Sequence, residues 1–195
     1  MNTIEAKKII YKFFKDEINT AYPSVFKEGS IFWARTKQEM PAKPYIMLTD
    51  SVNTKIYKRV ENFVQSGKKY TRKEVRLTVT FGVYTLNNEE NLSDADNFAT
   101  ELIEYVQNLF TVTQKTFDTL YEKEITVNEL LASDIRDLSS FSQTNQEFRK
   151  EIDIVFEFDD VTESPEAEPA LGLDIDIKVD NTDKKIEMEV NNVSL

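Results

Sequence analysis

The sequence predicts an α+β domain in which two to three helices pack against an antiparallel sheet, extended by a C-terminal β-hairpin. Two helical periods and two strand periods carry that reading. Apolar residues recur at three- and four-residue steps over 3–18 and again over 95–110, the spacing of one buried helix stripe. They alternate over 75–83 and 148–158, the spacing of a strand with one face in the core. The order of these segments is helix, strands, helix, strands. That order places helices against an antiparallel sheet.

In the first helix, Ala6, Ile9, Ile10, Phe13, Phe14 and Ile18 form the apolar stripe, leaving Lys7, Lys8, Lys12 and Lys15 outside. Ala21-Tyr22-Pro23 stops it. A short strand around 30–34 follows and contains the single Trp. Met40-Pro41-Ala42-Lys43-Pro44 is a stiff extended approach, because each proline fixes its own φ and pushes its predecessor out of the helical region. It leads into 45–50, an apolar stretch that fits a buried strand. Residues 59–65 and 70–84 flank Ser66-Gly67-Lys68, a short loop with Gly where a positive φ is useful. The second arm sets Val75, Leu77, Val79, Phe81 and Val83 on one face and Arg76, Thr78, Thr80 and Tyr84 on the other.

Ser93 is read as the cap of the second helix, with Asp94 and Asp96 in its first turn facing the positive end of the dipole. Its buried stripe is Ala95, Phe98, Ala99, Leu102, Ile103, Val106, Leu109 and Phe110. A shorter helix is expected over 113–122, and strands near 124–129 and 133–138. In the closing strand Phe148, Lys150, Ile152, Ile154, Phe156 and Phe158 alternate with Arg149, Glu151, Asp153 and Glu157. Residues 161–170 carry two prolines and several acids and read as a linker. Beyond it Leu173, Ile175, Ile177 and Val179 precede a turn, and Ile186, Met188 and Val190 answer on the far side. The organisation expected is therefore a core domain over 1–160, a linker over 161–170 and a hairpin over 171–195. An isolated hairpin is marginal in water, so this one needs a surface to pack on; a neighbouring subunit or a partner is favoured.

The 195 residues suit one domain plus an appendage, and 40% hydrophobic content with thirteen Phe supplies a core. Apolar runs are short, so no segment is expected to span a membrane. Residues 1–18 do not read as a signal peptide. The expectation is a soluble protein made in a cytoplasm. The sequence holds no Cys and no His, which removes disulfides, thiolate nucleophiles, Cys/His zinc sites and imidazole catalysis. Its four glycines lie far apart, so no Gly-rich phosphate cradle forms. Neither a catalytic site nor a cofactor is expected. The composition favours a structural, protein-binding subunit.

Charge is uneven. Of the net −11, residues 159–195 carry −8, while 55–76 hold eight bases, Lys55, Lys58, Arg59, Lys68, Lys69, Arg72, Lys73 and Arg76, against Glu61 and Glu74. A basic ribbon and an acidic tail give one chain two electrostatically different faces. A solvated hairpin and a solubilising tail produce the same pattern. With Tyr57, Phe63 and Tyr70 nearby, the ribbon also has the makings of a phosphate-gripping, base-stacking surface. The overall negative charge opposes nucleic acid, and an acidic protein surface, including the tail of a neighbouring copy, is the favoured partner.

Asp174, Asp176, Glu187 and Glu189 alternate along the hairpin, a set able to hold a hard cation; polar-out alternation gives the same pattern, so no metal site is assigned. Asp134 and Asp137 bracket Arg136. A divided acid–base pair competes there with an ion-paired structural motif, and the structural motif is preferred. No constellation for a carboxylate-only metalloenzyme emerges.

The order of landmarks resembles the phage neck terminator-like proteins of the head–tail junction. Pro41-Ala42-Lys43-Pro44-Tyr45-Ile46-Met47-Leu48 is similar to that family's proline-rich leading strand. Tyr70 and the strand ending Thr80-Phe81-Gly82-Val83-Tyr84 resemble its next strand. The helix over 95–110 sits where the family places its long helix. Ile135-Arg136-Asp137-Leu138-Ser139 is similar to its arginine-aspartate-leucine-serine segment, and 147–158 to its closing strand. The resemblance covers about residues 1–160 and leaves the tail unassigned. It implies a virion protein whose copies form a ring, commonly six-fold, that caps the tail tube and joins tail to head. The implied partners are further copies, head-side connector or adaptor proteins, and tube and sheath proteins, with genome DNA passing unread through the lumen. Candidate interface residues are the eight bases of the ribbon, Arg136, and Ile175, Ile177, Ile186 and Met188 of the hairpin. Another tail or baseplate adaptor, and a nucleic-acid-binding module built on 55–76, are the rival readings.

Overall fold

The computed structural model describes residues 1–34, 39–51, 57–86, 92–128, 132–141, 146–163, 175–179 and 186–190. The chain divides into two compact units, Met1–Glu61 with Arg72–Val161, and Asn62–Thr71 with Thr162–Leu195.

In the first unit, α1 (Thr3–Ala21) starts where the Asn2 side chain accepts the Glu5 N–H at 2.9 Å. Ala6, Ile10, Phe14 and Ile18 are its buried residues, with Ile9 and Phe13 partly buried beside them. It ends as the Tyr22 N–H closes on the Ile18 carbonyl, just ahead of Pro23. The strands β1 (Ile31–Trp33) and β2 (Tyr45–Ser51) follow, joined through a cis Lys43–Pro44 peptide. Next come β3 (Tyr57–Gln65) and β4 (Lys68–Leu86), which pair as a hairpin. The turn is Ser66-Gly67 alone, both at positive φ, the requirement of a two-residue type I′ turn; Lys68, expected in the loop, already belongs to β4.

The helices α2 (Leu92–Thr111) and α3 (Gln114–Tyr121) precede β5 (Ile125–Asn128), β6 (Arg136–Asp137), β7 (Ser140–Phe141) and β8 (Gln146–Glu163). Ser93, expected as the cap of α2, lies inside its first turn, within the usual spread of helix ends. The strand expected over 133–138 is regular only at Arg136–Asp137. Its flanks still follow β8, through the Ser133 N–H to the Asp153 carbonyl and the Leu138 N–H to the Arg149 carbonyl.

The sheet holds eight of the described strands, in the order β1-β2-β4-β8-β5, with β3 on β4 and with β6 and β7 on β8. β1 runs parallel to β2, and β2 antiparallel to β4, with Tyr45 opposite Tyr84 and Ile46 opposite Val83. β5, β6 and β7 each pair antiparallel with β8. Contacts from Thr80 to Asp153 and from Arg76 to Glu157 run in opposite senses along β4 and β8, so that pair is antiparallel too. The sheet is thus antiparallel except for β1.

Strand alternation sorts the sheet into two faces. Val75, Leu77, Val79, Phe81 and Val83 of β4, and Phe148, Ile152, Ile154, Phe156 and Phe158 of β8, join the stripes of α1, α2 and α3 in one core. Phe110 is its hub, 5.1 Å from Phe81, 5.4 Å from Phe156 and 6.1 Å from Phe14, ring centre to ring centre. Burying each such ring contributes about 1.5–3 kcal/mol, and aromatic pairing adds about 0.5–1.5 kcal/mol. Lys150 also faces this side. Its ammonium sits between Asp96 of α2 at 2.9 Å and Asp137 at 2.7 Å, so a half-exposed helix-turn acid serves as counter-ion to a buried lysine.

In the second unit, Phe63 and Tyr70 stack at 5.4 Å, and Lys68 pairs with Glu163 at 2.9 Å. β8 runs three residues into the segment expected as linker, and 164–170 lie outside the described residues. β9 (Ile175–Val179) and β10 (Ile186–Val190) form an antiparallel two-stranded sheet, pairing Ile175 with Val190, Ile177 with Met188 and Val179 with Ile186.

Candidate functional site

The opposite face of the sheet is built from the alternate residues of β2, β4 and β8. Charge dominates it. Arg136 forks onto Asp153 with its two terminal nitrogens at 2.6 and 2.9 Å, and lies 3.6 Å from Glu151. Such bidentate pairing fixes direction as well as charge. Asp153 also accepts the Thr80 hydroxyl at 2.6 Å, which ties β4, β8 and β6 together. The Arg136 bond holds the Asp153 carboxyl below the ordinary carboxylate range, against the opposing effect of burial. The same bond pushes the Arg136 guanidinium up.

Arg149 donates to Glu151 at 2.8 Å and lies 5.1 Å from the Tyr84 ring centre. Glu157 takes Arg76 and the Asn128 amide, the latter at 3.0 Å. Lys43 pairs with Glu147. Ion pairs therefore run down β8 from Glu147 to Glu157, cation beside carboxylate. Asp137, at the margin, is lowered to about 2, first by Lys150 and then by the Ser139 hydroxyl and N–H.

One end of this face is aromatic. Phe32, Tyr45 and Tyr84 are buried together, with Met47 against them; Tyr45 and Tyr84 stack at 4.7 Å. Gly82 leaves the space that the Tyr84 ring fills. The Tyr84 hydroxyl is buried with no hydrogen-bond partner among the described residues, and burial pushes its pKa up to about 12. At the other end, Arg72, Tyr121, Glu124, Thr126, Asp159 and Val161 line an open groove of about 430 Å³.

The candidates from sequence distribute as follows. Lys55 lies outside the described residues; Lys58 and Arg59 stand on β3. Lys68, Lys69, Arg72 and Lys73 are exposed along β4. Several ribbon cations face acids: Lys68 meets Glu163, Arg72 meets Asp159 at 3.2 Å and Glu61 at 3.8 Å, and Arg76 meets Glu157. Arg136 is ion-paired across strands and not to the acids bracketing it, since Asp137 turns instead to Lys150 and Ser139. Ile175, Ile177, Ile186 and Met188 occupy β9 and β10, and Asp174 lies outside the described residues. Among the described residues no group of three or more acids is placed to hold a metal ion. No helix there is long and apolar enough to cross a membrane.

Reading the sequence missed Asp153, Glu151 and Thr80 as partners of Arg136. The alternating charges of β8 were the available signal, but only the register of three strands brings the four together.

No curated protein matches this sequence. The sequence profile of the phage neck terminator protein family matches residues 8–183, which spans the core domain and reaches into the tail. That family is structural and serves at the head–tail junction of phage particles, in association with other head and tail proteins. The match takes in the proline-rich strand, the Gly82–Tyr84 strand end and the Arg136–Asp137 segment that anchors the charged face, and the chain belongs to the phage neck terminator protein family.

Proposed function

We propose that this chain is the terminator subunit whose copies close into a ring, capping the tail tube and joining tail to head. The family match over 8–183 carries the reading. A ring needs heterologous contacts, in which one surface of a subunit meets a different surface of the next. The chain offers unlike surfaces for this: the basic β3–β4 hairpin, the acidic tail and the ion-paired sheet face. The sheet face is cross-braced between strands, which suits a part that carries load and does no chemistry. Six-fold closure follows the resemblance. Head-side connectors bind above, tube and sheath proteins below, and the genome passes through the lumen unread. Lys58, Arg59, Lys68, Lys69, Arg72, Lys73, Arg76 and Arg136, with Ile175, Ile177, Ile186 and Met188, are the proposed contact residues. Assembly takes place in the host cytoplasm before the subunit is locked into the virion.

The test is an early stop codon in the gene, followed by electron microscopy of the particles made. Filled heads and separate tails that fail to join are expected. Intact, infectious particles contradict the reading.

A further inference from the structure

β3 pairs with β4 along one edge, and among the described residues no strand pairs with its other edge. Cross-strand contacts fix the register of this hairpin. Phe63 stacks on Tyr70, the Thr71 hydroxyl donates to Asn62 at 2.9 Å, and Arg72 lies 3.8 Å from Glu61. That register sets Val64 opposite Lys69 and Val60 opposite Lys73, on the side away from the stacked rings. Val64 is 66% and Val60 53% exposed, and both lysines are exposed. A nine-residue open edge with exposed valines is a template for another strand. The cations around it repel a second β3 and favour an acidic strand.

The chain carries such a strand. β10, Ile186-Glu187-Met188-Glu189-Val190, alternates apolar residues with acids and holds no base. Its sheet has two strands and pairs with no other among the described residues. Two strands alone are marginal in water. The tail from 159 onward carries −8, opposite in sign to the eight bases and two acids of 55–76.

We infer that the open edge of β3 receives β10 from a second copy of this chain, adding a strand to the sheet. Backbone hydrogen bonds along the edge supply affinity, and charge selects the partner. Ile186, Met188 and Val190 lie beside Val60 and Val64 in this pairing. Tail and hairpin are different surfaces, so the contact is heterologous and repeats from subunit to subunit. The inference rests on the reading of the chain as a ring-forming subunit and names the contact that links its copies.

The chain contains no cysteine, so single cysteines report the contact cleanly. Val64→Cys and Met188→Cys are placed in separate copies, and the purified chains are mixed and oxidised. The expected product is a disulfide-linked dimer of one copy of each, with neither variant cross-linking alone. Ile186→Cys in place of Met188→Cys gives a second reading of the same edge. Lys68 and Arg72 are exposed on the face of the stacked rings, which Glu187 and Glu189 share in this pairing. Reversing Lys68→Glu with Arg72→Glu weakens self-association about tenfold, and Glu187→Lys with Glu189→Lys in the same chain restores part of it.

Four results overturn the inference: links between two Val64→Cys copies, an intramolecular link alone when one chain carries both cysteines, association indifferent to the charge reversals, and a chain that stays monomeric at the highest attainable concentration. Because the cross-link is read on purified chain, it stands or falls apart from the stop-codon result. Particles that join without the gene product remove the terminator reading and leave this contact as measured.

Discussion

A Cβ at Gly82 stands 3.0 Å from a Tyr84 ring carbon, 3.4 Å from a Glu151 carboxylate oxygen and 3.5 Å from the Met47 carbonyl. Alanine in a strand ordinarily gains about 0.5–1 kcal/mol over glycine. Here the Tyr84 ring is stacked on Tyr45 and faced by Arg149, so it has nowhere to yield. Gly82→Ala is therefore expected to destabilise the fold by about 1 kcal/mol, read as a lower urea midpoint with an unchanged slope. Acid acts on the ion pairs of both faces. Asp153 and Asp137 titrate lower folded than unfolded, so the stability they contribute is complete above the ordinary carboxylate range. It is lost as pH falls through their folded values, that of Asp137 being about 2. The melting temperature should fall on acidification below about pH 4, and Asp137→Asn should show a shallower fall. Glycine and aspartate are visible in any sequence; what they stand against is not. Nothing in the order of residues puts Gly82 over Tyr84, or Asp153 between Thr80 and Arg136.

Elements were far more legible than contacts. Amphipathic period placed α1 and α2, and alternation placed β4 and β8, because a stripe or a face must be buried in one core and the core leaves its period in the sequence. Two-residue strands leave no period. β7 gave no signal, and β6 was overdrawn to six residues, because an apolar-poor segment following a strand edge looks the same whether or not its bonds are regular. The parallel setting of β1 was equally invisible, since pairing direction depends on where the chain returns and not on which residues it contains. The start of α1 is a separate case. Asn2 was not singled out, yet its side chain satisfies the Glu5 N–H. Asn2→Ala should cost about 1 kcal/mol through that one unpaired donor, measured as a drop in melting temperature, with Asn2→Asp close to neutral.

For the molecule as a whole, the sequence spoke through what it lacks and through where its charge lies. A chain without Cys or His, with dispersed glycines, was read as structural, and the family match over 8–183 places it in the phage neck terminator family. The charge asymmetry between ribbon and tail was equally plain in the sequence. In the proposed ring that asymmetry is used between neighbouring subunits. The proposed repeating contact draws on the open edge of β3 and the small acidic sheet of β9 and β10. The most direct measurement is a cryo-electron microscopy reconstruction of the neck of intact particles, at a resolution that separates strands. The account predicts a closed ring of this chain at the head-proximal end of the tail tube, with each eight-stranded sheet continued by a strand from its neighbour. A neck whose density is filled without this chain, or this chain found at the baseplate, would contradict it.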